Sequence, residues 1–220
     1  MQKKPWIIQW MEYFLAFMGF AIFLMYMFYR PVQVSRYAAS YENDTDEAIK
    51  EKLVWNTEYE ESLENLIIHN LKMLPENILS KWLDADSSIV ICPNIKGYLD
   101  MDNEVKMENN TYTAAYNLIA TDKNGVISSD IYILGSAQVI DSSLLHEIGH
   151  YVHDAYFDTD YVLPGYETDS KKFIESECNN FEYYAVPDEY FAEIFAYTVI
   201  NGENESYTDT HDMEEIIENF

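Results

Sequence analysis

The sequence predicts an α+β domain behind one N-terminal transmembrane helix, and three observations carry that prediction. An uncharged apolar run lies near the start of the chain, and helical periodicity dominates residues 41–83 and again the second half. Between them lie three short strand-like segments. With 220 residues, 48% hydrophobic and 15% aromatic, the chain can bury a core of its own, and wholesale disorder is excluded.

The elements follow in order. From Tyr13 to Tyr29 no residue is charged. As a helix this run spans about 25 Å, and the flank from Trp6 to Glu12 extends it towards a full bilayer crossing. Trp6, Trp10, Tyr26 and Tyr29 fall near its two ends, where aromatic belts lie. Residues 1–36 are therefore read as a membrane anchor with its flanks, with the domain that follows on the extracellular side. The alternative is secretion after signal cleavage at Ala38-Ala39-Ser40, although those residues lie well beyond the apolar run. Residues 37–60 read as a juxtamembrane helical linker and 61–220 as the main domain.

Asn43 and Asp44 can cap a helix, and Ile49, Leu53, Leu63, Ile67, Leu71 and Leu74 recur at helical spacing. Pro75 breaks that pattern and starts a short helix over Glu76–Leu83. Ser88–Cys92, Tyr112–Ile119 and Ile131–Leu134 read as strands bounded by Asp, Asn, Gly or Pro. The second half turns helical over Ser142–Asp154, Ser170–Glu177 and Pro187–Ile200, with Asp141 or Ser142 as N-cap of the first.

Charge narrows the partners. Residues 1–36 carry Lys3, Lys4, Arg30 and Arg36 against Glu12, a net of +3, so the chain's −26 leaves −29 on the other 184 residues. Those residues hold nine Lys and no Arg. Without guanidinium forks or a basic face, nucleic acid is excluded as a partner, because phosphate contacts dominate that affinity. Two cysteines, Cys92 and Cys178, are too few for a structural zinc site made of thiolates.

The chemistry concentrates in His146-Glu147-Ile148-Gly149-His150. Four residues apart on a helix, the two imidazoles project from one face within reach of one ion. Glu147 stands beside them, placed to take a proton from water without occupying a ligand position. His153 lies about 10.5 Å beyond His146 along the same axis, too far for bonds of about 2.0–2.1 Å to a shared ion. The third ligand must come from another element. Glu189 in Asp188-Glu189-Tyr190-Phe191-Ala192-Glu193 is the best placed, with Pro187 at the first turn of its helix. Glu193, four residues on, shares its face and can receive the free N–H of a ligand histidine. This set of two histidines and a carboxylate suits Zn2+.

These two segments, His146–His150 and Glu189–Glu193, resemble the catalytic domain of anthrax lethal factor and the smaller secreted Pro-Pro endopeptidases of clostridia. The 39-residue step from His150 to Glu189 is similar to that of the latter, and Leu74-Pro75-Glu76-Asn77 resembles their N-terminal half. The resemblance runs from about Leu63 to Gly202. It implies a zincin-like metallopeptidase domain with a small twisted sheet, an active-site helix and a helical C-terminal half. His146, His150 and Glu189 would bind zinc, Glu147 would act as general base, and Glu193 would support a ligand histidine. The implied substrate is a protein or peptide, with a proline-containing site in part of the family. The family also places a tyrosine ahead of the third ligand to hold the oxyanion. Its usual spacing falls on Glu182 here, with Tyr183 and Tyr184 as neighbours; Tyr183 is the expected residue and Tyr184 the alternative. That departure sustains a competing expectation, a membrane-tethered binding or signalling module that keeps the fold without turnover.

Overall fold

A computed structural model of the chain describes residues 43–94, 115–122, 125–157, 161–177 and 186–220. Helix α1 (Asn43–Glu51) leads into strand β1 (Leu53–Trp55), then α2 (Glu61–Leu71), α3 (Glu76–Asp84) and β2 (Asp86–Cys92). The hairpin β3 (Ala115–Asp122) and β4 (Gly125–Leu134) precede four helices: α4 (Ala137–Tyr156), α5 (Tyr166–Glu177), α6 (Pro187–Asn201) and α7 (Thr208–Asn219). The architecture is mixed α+β, with a small sheet and a helical C-terminal half.

The sheet has the order β1-β2-β4-β3. β1, β2 and β4 run parallel, with Ile89 of β2 opposite Leu53 on one side and Ile131 on the other. β3 is antiparallel to β4 and, among the described residues, forms one edge of the sheet, with Asn117 opposite Ile131. Fully buried Ile89, Ile91, Ile131 and Ile133 supply the sheet's part of one continuous core, which also takes Trp82, Leu144, Ile148, Phe191 and Phe195 from the helices. Each such side chain contributes about 1.5–3 kcal/mol through burial. Helix α4 lies at the centre of this packing, in contact with β3, β4, α2 and α6.

Four differences from the sequence reading have physical reasons. Leu53, assigned by its spacing to a helix, lies in strand β1. The short run Leu53-Val54-Trp55 pairs with β2, and a bonded neighbour outweighs a weak local preference. The segment read as a helical linker thus contributes a helix and a strand to the sheet's own packing. Helix α4 starts five residues before Ser142, with Ser136 at the N-cap rather than Asp141 or Ser142. Buried Ile140 extends its apolar face into that extra turn. Strand β3 continues past Ile119 to Asp122 because β4 pairs with it as far as Gly125. Helix α7 has no counterpart in the sequence reading, although Met213, Ile216, Ile217 and Phe220 form a buried stripe at helical spacing. The predicted transmembrane helix lies outside the described residues, among which no helix is long and apolar enough to cross a membrane.

Candidate metal centre

Helix α4 is buried nearly all round at its middle, and that burial brings His146 and Glu147 to 5% and 6% exposure. The apolar residues Leu144, Leu145, Ile148 and Val152 hold the helix in the core. Helix α6 crosses it at Gly149. A β-carbon there would stand 2.7 Å from the Ala192 Cα and 2.9 Å from the Ala192 carbonyl oxygen, so only glycine permits this approach. The close crossing sets the first two turns of α6 against the histidine face of α4.

Three side chains converge there. Glu189 Oε2 lies 3.0 Å from His146 Nε2 and 3.4 Å from His150 Nε2. One ligand atom from each of the three lies within 4.8 Å of the other two. Glu193 Oε2 meets the opposite nitrogen of His146, Nδ1, at 3.0 Å. The imidazole of His146 is therefore held between two carboxylates, with Nε2 turned towards Glu189 and His150. Burial works to lower the His146 pKa, but the hydrogen bonds it donates to Glu189 and Glu193 outweigh that and raise it to about 10. Burial likewise works to raise Glu189, yet His146 and His150 hold its carboxyl well below the usual carboxylate range. Both ring nitrogens of His146 thus face carboxylate oxygens, the surroundings that favour a cation at Nε2.

The donor set fits a zinc ion. Tetrahedral zinc with bonds of about 2.0–2.1 Å requires donor atoms about 3.3 Å apart. The two Glu189–histidine separations, 3.0 and 3.4 Å, bracket that spacing. Two nitrogens and one carboxylate oxygen are also the donors of an open catalytic zinc site, with a fourth position left to solvent or substrate. Glu193 on the far nitrogen of His146 matches the carboxylate–histidine–metal arrangement that fixes a ligand's tautomer.

Glu147 sits next to His146 with its pKa raised by burial, against the pull of His146 and His150. Residue 147 is also gripped from the sheet. The Asn117 side-chain amide on β3 donates to the Glu147 carbonyl at 2.8 Å. Sequence spacing did not single out Asn117. Its one signal is an amide side chain in a strand, where asparagine is depleted.

His153 is buried but stands apart from the three ligand candidates. Its Nδ1 faces Asp154 at 3.2 Å and its Nε2 faces the Tyr161 carbonyl at 3.2 Å, beside the ring of Phe191. Tyr183, Tyr184 and Cys178 lie outside the described residues. His69 and His211 lie in α2 and α7; His211 faces Glu203 and Glu215.

No family model and no curated protein matches the chain. Among solved structures it is similar to the Pro-Pro endopeptidase of Paenibacillus alvei, with 14% identity and a TM-score of 0.48, over 79% of this chain and 100% of that one.

Proposed function

We propose that the chain is a zinc-dependent endopeptidase, anchored in a membrane by residues 6–29 with its catalytic domain on the extracellular side. One observation carries the reading: His146, His150 and Glu189 converge from two helices while Glu147, buried beside them, is left outside the cluster. His146, His150 and Glu189 would hold the ion. A bound zinc supplies Lewis acidity, lowering the pKa of water towards about 7 and polarising a carbonyl. Glu147 accepts the proton of the attacking water and delivers it to the departing amine. Glu193 keeps Nδ1 of His146 engaged, so Nε2 remains the ligand atom. Tyr183, or Tyr184 beside it, holds the oxyanion.

Strand β3 supplies the substrate track in this reading. Among the described residues it is one edge of the sheet, it runs antiparallel to β4, and its Asn117 touches residue 147. An extended peptide can add to such an edge through main-chain hydrogen bonds, with exposed Leu118 beside it. The resemblance to the Pro-Pro endopeptidases makes proline-containing peptides the first substrates to try.

The test is zinc stoichiometry by elemental analysis on the intact chain, with a peptide-cleavage screen on the same sample. One zinc per chain, lost in His146→Ala, together with cleavage abolished by chelator, is expected. A chain that binds zinc and cuts nothing would instead be the tethered binding module, which is supported by the family's usual tyrosine spacing falling on Glu182.

A further inference from the structure

A directed polar chain crosses the sheet and ends on the residue read as the base. The indole of Trp82, fully buried on α3, donates to Ser129 Oγ at 3.3 Å. Ser129, fully buried on β4, donates to Asn117 Oδ1 at 3.0 Å. Asn117 Nδ2 then donates to the Glu147 carbonyl at 2.8 Å. The direction is forced. An indole N–H can only donate, so it occupies a lone pair of Ser129 and the hydroxyl proton turns to Asn117. Receiving that proton fixes which end of the Asn117 amide is oxygen, and its NH2 faces α4.

We infer that Asn117 is a positioning residue, oriented by Trp82 and Ser129, that latches the edge strand β3 to Glu147 and holds the base and the substrate track at one fixed separation. The inference rests on the peptidase reading above. One contact makes the latch: the Asn117 side-chain amide donates to the Glu147 carbonyl at 2.8 Å. That contact ties β3 to α4 at residue 147. A peptide paired with β3 would then present its scissile carbonyl at a set distance from Glu147, and orientation of that kind acts on the chemical step rather than on binding. The Asn117 side chain bonds Ser129 and the Glu147 carbonyl rather than a ligand nitrogen or Glu189, so its loss should leave the metal in place.

The test compares Asn117→Ala, Ser129→Ala and Ser129→Thr with the wild-type chain, reading kcat, KM and zinc content separately. Asn117→Ala is expected to lower kcat by about 10- to 100-fold, the scale of losing a group that orients a site residue. KM should stay within about threefold and zinc at one per chain. Ser129→Ala should lower kcat in the same direction and Ser129→Thr, which keeps the hydroxyl, should restore it. A structural weakening alone would instead release zinc or leave kcat of the folded fraction unchanged. Cleavage by Asn117→Ala within twofold of wild type overturns the latch alone. A wild-type chain that cuts no peptide overturns the peptidase reading. The latch is then decided by NMR: the Asn117 side-chain amide protons should exchange slowly in wild type and rapidly in Ser129→Ala, and rapid exchange in both refutes it.

Discussion

Replacing Gly149 by alanine should damage the metal centre more than the fold. The new β-carbon would stand 2.7 Å from the Ala192 Cα, 2.9 Å from its carbonyl oxygen and 3.1 Å from its Cβ. Carbon atoms rest at about 3.5–4.0 Å, so α4 and α6 must separate by roughly 1 Å. Two of the atoms in the way are backbone, so no side-chain rotation relieves the contact. Glu189 lies three residues before Ala192 on the same helix and moves with it. Its 3.4 Å spacing to His150 would open well beyond the roughly 0.2 Å that a metal site tolerates. Overpacking costs about 1–3 kcal/mol, while the exchange of glycine for alanine in a helix stabilises by about 1 kcal/mol. The net is a loss of about 0–2 kcal/mol, or a fall in Tm of up to about 8 °C. Zinc affinity, measured by competition with a chromophoric chelator, should weaken at least about tenfold. An affinity within twofold of wild type together with a raised Tm would refute the reasoning, since only the helix-propensity gain would then be present.

Three further outcomes follow from the same geometry. Glu147→Gln should keep its zinc and lose about 100- to 10,000-fold in kcat, read by peptide cleavage beside elemental analysis. Glu193→Gln should weaken zinc binding about 10- to 100-fold by releasing Nδ1 of His146; an unchanged dissociation constant would remove Glu193 from the site. The metal-free chain should lose stability as pH rises. The His146 pKa is about 10 in the fold against about 6.5 unfolded, so its contribution is complete below about pH 6.5 and gone above about pH 10. Thermal unfolding in chelator at pH 6.5, 8 and 9.5 measures it, and a Tm flat across that window would contradict the carboxylate–imidazole cluster. Zinc must displace the His146 proton, so zinc affinity should rise across the same window.

The helix period explains why part of the centre was legible in the sequence. Positions 146 and 150 share a face on any α-helix, as do 189 and 193, and Pro187 at the first turn places the second pair. Those relations are local, and the structure brings the two pairs together. What remained hidden depends on long-range pairing. Leu53 matches the period of the helices around it, and only its pairing opposite Ile89 makes it a strand. Asn117 becomes part of the site because the edge of the sheet passes over α4, a fact of topology with no sequence spacing of its own. The close approach at Gly149 is likewise set by Ala192, 43 residues away. Helix α7 is a different case: its apolar stripe was present, but Asp209, Asp212, Glu214 and Glu215 interleave with it and obscure the period.

In the proposed function, this cluster and Glu147 together hydrolyse peptide bonds. The most direct test incubates the zinc-loaded chain with a peptide library rich in proline-containing sequences, beside Glu147→Gln, and reads new termini by mass spectrometry. A defined set of cleavages is expected in the wild-type chain and none in the variant. Identical products from both, or no products from a wild-type chain carrying one zinc, would contradict the proposed function.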